Sequence, residues 1–471
     1  MTDQTSGGDA DNDPMRPVKF AGGFLVEYRY YVLAILTLIY MVNWIDRYVF
    51  AILLQPIKEE LGVSDTVMGL LTGTAFGLFY ATMGVPLALM ADRTTRMKLI
   101  AWCLGIFSVM TALCGVAMNA FQFAILRIGV GVGEAGTSPA SHSIIADLFP
   151  PKERATAMAI FAAGLNLGIF IAFFAGGWIL ELFGWRWAFV LAGAPGIVLV
   201  FIVWAMREPP RGHADGYKAE AQHEETQGFV EFLVSLRNTV GDYLSEVFSH
   251  LLGLRTFRHL AIAAALNSFV GYGALQWVPA YLVRSHDLGY GQIGTILAFI
   301  IGIAGGIGTF AGGLLVDRLS KGDARWNMWL PAGAVLVGTP LAIGFYLAGS
   351  SIFPVSTATG LWLWVIPVAA SALYLGPALS VTQGLAPLKM RAMASAILLF
   401  IINIIGLGLG PLAVGVLADL FTASAGADAL RWALVVGGLV NLWAVFHFMA
   451  ASRSVRDDLT KVAEMERQAA S

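Results

Sequence analysis

The sequence predicts an all-α membrane protein of twelve transmembrane helices arranged as two six-helix halves, and three observations predict it. Hydrophobic residues make up 57% of the 471-residue chain, charged residues only 13%, and mean hydropathy is +0.72. Soluble domains carry about a quarter charged residues. Apolar runs of about 20 residues, long enough to cross the hydrocarbon core of a bilayer, recur twelve times. A single long polar stretch, 207–256, separates the first six from the last six. Backbone amides in lipid must be satisfied within their own segment, so such runs are helices.

The spans are read at 31–56, 66–90, 97–117, 120–146, 155–181, 186–206, 257–283, 291–316, 327–348, 358–384, 391–420 and 429–450. The expected organisation is a cytoplasmic tail over 1–28, a first half over 29–206, a linker over 207–256, a second half over 257–451 and a cytoplasmic tail over 452–471. The first 20 residues are polar and rich in Asp and Gly, with no basic start followed by a short apolar core, so they read as a disordered tail and not as a signal peptide. Of the 29 Lys and Arg, only Lys58, Arg186, Arg284 and Arg431 fall in odd-to-even connections, while Arg47 and Arg127 lie inside spans. All the others lie in the tails and even-to-odd connections or within two residues of them, which places both termini in the cytoplasm. The expected location is a bacterial inner membrane or a plasma membrane.

Within the linker, Phe229, Phe232, Leu233, Leu236, Val240, Tyr243, Leu244, Val247, Phe248 and Leu251 recur at three- and four-residue spacing. This predicts an amphipathic helix on the cytoplasmic membrane surface. Cys103 and Cys114 share the third span, about 16 Å apart at 1.5 Å per residue, too far for a disulfide. No Cys/His spacing suggests a metal site, no strand precedes the glycine clusters, and no nucleophile elbow is present, so neither a cofactor nor enzyme chemistry is expected. The near-neutral total charge of -2 says nothing about a partner, and no basic run suggests nucleic acid, so none is expected.

Three ionisable side chains interrupt the apolar spans of the first half: Asp46, Arg127 and Glu134. Each costs roughly 2.5 to 3.5 kcal/mol at a helix centre, so an intramembrane charge points to function by default. A seven-residue step on a helix returns to within about 20° of its start, so Arg127 and Glu134 share a face about 10.5 Å apart along the axis. Asp46, on the first span, is the partner expected for Arg127. A carboxylate beside Arg favours the charged form and apolar burial favours the neutral form, so its protonation can be tipped by small changes. Two readings stay open: a proton switch, in which protonating Asp46 releases Arg127 and Glu134 takes or passes the proton, and a static ion pair. Arg47, about 100° round the helix from Asp46, is expected to pair elsewhere on a neighbouring helix.

Candidate substrate contacts are polar or aromatic residues near the middle of apolar spans. They are Thr137 and Ser138, Asn166, Asn267, Tyr272, Gln276 and Trp277, Tyr374, and Asn403. Arg127 joins them because a guanidinium can hold a carboxylate or phosphate through two bonds. The second half carries no mid-span charge, so its cavity wall should be mostly apolar, which suits an amphiphile better than a sugar.

The two halves also share a pattern: ALMADRTTR, with Asp92, Arg93 and Arg96, follows the second span, and GLLVDRLSK, with Asp317, Arg318 and Lys321, follows the eighth. The aspartates are 225 residues apart, as a duplicated six-helix unit requires. An Asp at a helix end beside basic residues can bond adjacent helix termini and latch one conformation.

This D-R-x-x-R/K pattern resembles the gating motif of the major facilitator superfamily, although Ala88 and Thr95 stand where the motif carries glycine. RIGVGVGEAGTSPA on the fourth span, AGLNLGIFIAFFAGGW on the fifth and GWRWAF opening the sixth extend the resemblance over nearly the whole chain. NWIDRYVFAILLQPIKEELG and GVGEAGTSPASHSIIADLFPPKERATAMAIF are most similar to the Spinster family, with organic-anion symporters second. The resemblance implies proton coupling and a lipid-like substrate of sphingolipid or lysolipid type, moved by alternating access. The expected partners are therefore protons, the bilayer and an amphiphilic or lipid substrate, with the chain acting as a monomer. A transporter-like receptor is the reading from another class.

Overall fold

The computed structural model describes residues 15, 18–19, 25–215 and 243–470. It is almost wholly helical. The helices spanning the first half are α1 (Tyr28–Leu61), α2 (Asp65–Arg93), α3 (Arg96–Cys114), α4 (Ala120–Ala135 continuing as Thr137–Leu148), α5 (Pro151–Phe183) and α6 (Trp185–Trp204). Those of the second half are α7 (Arg255–His286), α8 (Tyr290–Leu319), α9 (Trp326–Leu347), α10 (Thr357–Gly384), α11 (Arg391–Ile402, Asn403–Leu409 and Gly410–Ala425) and α12 (Ala429–Ala470).

Nine helical stretches among the described residues are long and apolar enough to cross a membrane by themselves, one of them holding α11 and α12 together. The remaining two spans are α4, broken at Gly136 into short pieces, and α7, which carries Asn267, Ser268 and Gln276 among its buried residues.

Local sequence sets the helix ends. Asn119 accepts a hydrogen bond from the Gln122 amide at 2.9 Å to open α4, and Ser64 caps α2 in the same way. Gly62 ends α1 at φ 63°, a left-handed conformation that a residue without Cβ adopts freely.

The tightest contacts between the halves lie on the side away from the termini. There α2 packs on α11, with Gly73 and Gly77 facing Leu407 and Gly408, and α5 packs on α8 through Gly177 and Gly294. A side chain at Gly73, Gly77, Gly177 or Gly294 would meet backbone atoms of the other half, so small residues permit the close approach. Three wider π-helical turns, Leu70–Thr74 in α2, Ala298–Ala304 in α8 and Asn403–Leu409 in α11, sit at these contacts.

Three expectations change. Residues Phe229, Phe232, Leu233, Leu236 and Val240 of the linker lie outside the described residues, as do 1–14. The linker's described end is helical over 243–253, and Val247 and Leu251 are buried against the second half while Leu244 and Phe248 are exposed. Tyr243 donates to the Lys389 carbonyl at 2.6 Å, so this end docks on protein instead of lying only on a lipid surface. The carboxy-terminal tail continues α12 as a helix. It is held by Asp458, which accepts from the Thr256 amide at 2.9 Å, and by Glu466, which accepts from the Leu388 amide at 2.7 Å. Near the amino terminus, Val18–Lys19 pairs antiparallel with Leu25–Val26, the one two-stranded ladder among the described residues. Cys103 and Cys114 are buried free thiols.

Candidate functional site: paired charges beside an uncharged cavity

The charged group in the first half consists of two ion pairs. Asp46, Glu134, Arg127 and Arg47 are 0, 0, 1 and 9% exposed. Arg127 Nη1 donates to Asp46 Oδ2 at 3.1 Å, and Thr111 on α3 donates to the other Asp46 oxygen at 2.5 Å. Arg47 Nε donates to Glu134 Oε2 at 2.5 Å. Both guanidiniums also lie over aromatic faces: Arg127 over Phe50 and Phe76, each at 5.1 Å, and Arg47 over Tyr80 at 4.1 Å and Trp44 at 4.9 Å.

This corrects the sequence reading in one respect: Arg47 pairs with a neighbouring helix as expected, but its partner is Glu134, which that reading groups with Asp46 and Arg127. The reason is side-chain direction. A helix tilts its side chains toward its own N-terminus, so the long Arg47 chain reaches back along α1 to the Glu134 level of α4. Asp46, being short, stays level with Arg127. Each acid therefore has its own guanidinium. In these four side chains, two buried atoms stay without a hydrogen-bond partner among the described residues, Glu134 Oε1 and Arg127 Nε. Thr137 joins this cluster by donating to the Glu134 carbonyl at 2.9 Å and accepting from Asn43 at 2.7 Å.

Between the halves lies a cavity of about 280 Å3 at the mid-depth of the helices. Asn166, Asn267, Tyr272 and Tyr374 line it. Arg127, Thr137, Ser138, Gln276, Trp277 and Asn403 are not in its wall. Arg127 and Thr137 are committed to the ion-pair cluster. Gln276 and Trp277 sit one turn further toward the closed side, where Trp277 Nε1 donates to the Pro411 carbonyl at 2.8 Å. Ser138 is half-buried on α4, and Asn403 opens the π-helical turn of α11. The wall also contains residues that sequence reasoning missed: Trp44 and Tyr48 on α1, Tyr346, Trp364, Ser371 and Asn441. A signal existed for the first two, since residues four apart share a helix face, and their rings stack at 5.6 Å. Isolated polar residues such as Ser371 and Asn441 carried none. Among the described residues, no Asp, Glu, Lys, Arg or His lines the cavity.

On the closed side, Arg284 of α7 grips Asp65 of α2 through both Nη atoms at 2.8 and 2.7 Å, and its Nε donates to Gln55 at 2.7 Å. Lys58 also reaches Asp65, at 2.7 Å. Asp419 of α11 accepts from the Asp65 and Thr66 amides at 3.1 and 2.7 Å, a carboxylate at a helix N-terminus. Asp65 and Arg284 form the one salt bridge between halves among the described residues.

The repeated pattern is alike in sequence and unlike in contacts. Arg96 is buried, donating to Glu208 at 2.8 Å, to Ser143 and the Pro209 carbonyl at 2.9 Å, and to Asp147. All of these partners belong to the first half or its immediate continuation. Asp92 and Arg93 are exposed, as are Asp317, Arg318 and Lys321 in the second copy, and among the described residues neither copy forms a salt bridge between the halves.

Two six-helix halves around a central cavity, sealed on one side by a breakable ion pair, define a membrane transporter and not an enzyme. The chain belongs to the Major Facilitator Superfamily, whose profile matches residues 36–411. It is 31% identical over 428 residues to an MFS-type efflux pump of Mycolicibacterium smegmatis, covering 90% of this chain and 92% of the relative. A bacterial homolog of the human lysosomal transporter Spinster, solved in an inward-facing, unoccupied conformation, is 32% identical. It superposes with a TM-score of 0.78 and covers 92% of this chain and 98% of that one. A hexuronate transporter of Bacillus subtilis is 26% identical over 446 residues, 92% of this chain and 96% of the relative.

Proposed function

We propose that this protein is a proton-coupled secondary transporter that moves an amphiphilic, lipid-like substrate by alternating access, as a monomer in a bacterial inner membrane with both termini cytoplasmic. The observation that carries the reading is the pair of adjacent buried salt bridges, Asp46 with Arg127 and Arg47 with Glu134. Buried ion pairs are poor stabilising devices, because desolvation of the charges offsets their attraction. Placed where a proton can neutralise one carboxylate, they become switches. Glu134 offers Oε1, which has no competing donor among the described residues. Protonation there leaves Arg47 without its counter-ion and loosens α1 from α4 beside the cavity. Asp46 and Arg127, buttressed by Thr111, are the second element of the same relay.

The wall supports an amphiphile. It holds six aromatic side chains and a few spaced amides and hydroxyls, with no charged side chain among the described residues. A small organic diacid would need guanidinium or ammonium partners that the wall does not offer, so the organic-anion reading, suggested by the sugar-acid relatives, has less support. Arg127 acts in coupling and not as a substrate ligand. The closed side is held by Asp65 and Arg284. We assign Asp92, Arg93 and Arg96 with Asp317, Arg318 and Lys321 to latching the opposite side in the alternate state, in which the termini-side ends of the halves meet.

The test is flux in proteoliposomes under an imposed pH gradient, across lysolipids, sphingoid bases and organic anions. Gradient-driven flux of an amphiphile, lost in Asp46→Asn and Glu134→Gln, supports the reading. Unchanged gradient response in both variants refutes proton coupling, and absence of saturable flux for every amphiphile favours the receptor.

A further inference from the structure

We infer that the cavity takes the cationic, ammonium-type head of its amphiphile, and that this bound cation and a proton on Glu134 exclude one another, making the protein an exchanger. The inference rests on the proton role proposed above for Glu134.

The wall argues for the sign of the charge. Trp44, Tyr48, Tyr272, Tyr346, Trp364 and Tyr374 contribute rings, and among the described residues no basic side chain joins them in the wall. Aromatic faces carry partial negative charge, which attracts a desolvated cation and repels an anion. Asn267 adds an acceptor. Its amide nitrogen is engaged with the Ser371 carbonyl at 3.4 Å, while its buried oxygen has no donor among the described residues. A phosphate or carboxylate in this wall would be a buried charge without a partner.

The exchange follows from where Arg47 sits. Its guanidinium lies 4.9 Å from the ring of Trp44, which forms part of the wall. With Glu134 ionised, the pair is neutral and the wall accepts a cation. With Glu134 protonated, an uncompensated positive charge stands beside the site and disfavours it. The charged and titratable groups acting on this pair are Asp46, Tyr40 and Tyr48 on α1, Arg127 on α4, Tyr80 on α2 and Tyr272 on α7. Asp46 and Arg127 neutralise each other, so Glu134 controls the local sign.

The experiment uses two probes of equal shape and opposite charge, tetraphenylphosphonium and tetraphenylborate, bound to the full chain in lipid nanodiscs at pH 8.5 and 5.5, with empty discs as background. Saturable phosphonium binding should exceed borate binding at least tenfold. It should weaken about tenfold on acidification, as two unit charges about 10 Å apart in an effective dielectric of 20 require. Glu134→Gln should bind phosphonium weakly at both pH values, and the wild-type pH comparison stands even if that variant folds poorly. Tighter borate binding, strengthened by acid, would replace exchange by anion symport and overturn the inference while leaving the proton role intact. Phosphonium binding that ignores pH, with no flux responding to a gradient, would instead overturn the proton role itself.

Discussion

Replacing Arg284 with glutamine removes the one salt bridge that joins the two halves among the described residues, and so should release the closed side. Arg284 makes three bonds there, two to Asp65 and one to Gln55, at 2.7 to 2.8 Å. Its side chain is 16% exposed and that of Asp65 is 4% exposed, so screening by solvent is limited. Bonds to charged groups contribute about 1.5 to 3 kcal/mol each, but Lys58 at 2.7 Å remains to compensate Asp65. A net loss of about 2 to 3 kcal/mol follows, which at about 1.4 kcal/mol per decade moves the ratio of open to closed on that side by roughly 30- to 150-fold. Spin labels on Met118→Cys and Ala427→Cys, both exposed positions on that side in opposite halves, would report it by their distance distribution. The native cysteines are buried and would not compete for label. The distribution should lengthen in Arg284→Gln and in Asp65→Asn. An unchanged distribution in both variants would refute the latch and return the closure to helix packing alone.

Arg96→Ala should destabilise the protein by about 3 to 5 kcal/mol, because it strips a buried guanidinium from Asp147 and Glu208. Lys321→Ala, at the matching place in the second half, should change thermal stability by no more than about 0.5 kcal/mol; equal effects would show that the two copies carry equal contacts. Asp323, in the connection after α8, accepts from the Arg325 amide and pairs with Arg456, which together hold its carboxyl below the usual carboxylate range. Its contribution is therefore present above the unfolded-state value and is lost as pH falls through the lower folded-state value. Asp323→Asn should flatten the acid limb of thermal stability against pH, and an identical limb would contradict this.

The twelve helices were readable because lipid allows one backbone solution and the apolar length is fixed by bilayer thickness. The placement of Asp46 and Arg127 together followed from span order and helix periodicity. Arg47 escaped because angular position on a helix ignores the backward reach of a long side chain, which here closes the distance to Glu134. The seal of Asp65 on Arg284 links residues 219 apart at helix ends, where nothing local in either segment names the other. The cavity wall was readable in part. Asn267 and Tyr374 stood out as polar or aromatic in apolar spans, whereas Gln276, Trp277 and Asn403 looked the same in sequence and differ only in depth and facing. The repeated D-R pattern predicted duplication, yet burial of Arg96 depends on Glu208 and Pro209 after α6, a context without a counterpart at Lys321.

Proton movement on substrate addition tests the central claim most directly. Proteoliposomes containing a pH-sensitive dye, with no imposed gradient, should show a proton flux when an amphiphile gradient is applied to the wild type. Glu134→Gln should abolish that proton flux and leave at most a weak amphiphile flux. Substrate flux through the wild type with no accompanying proton flux would contradict the account and leave the two buried ion pairs as static ties between α1 and α4.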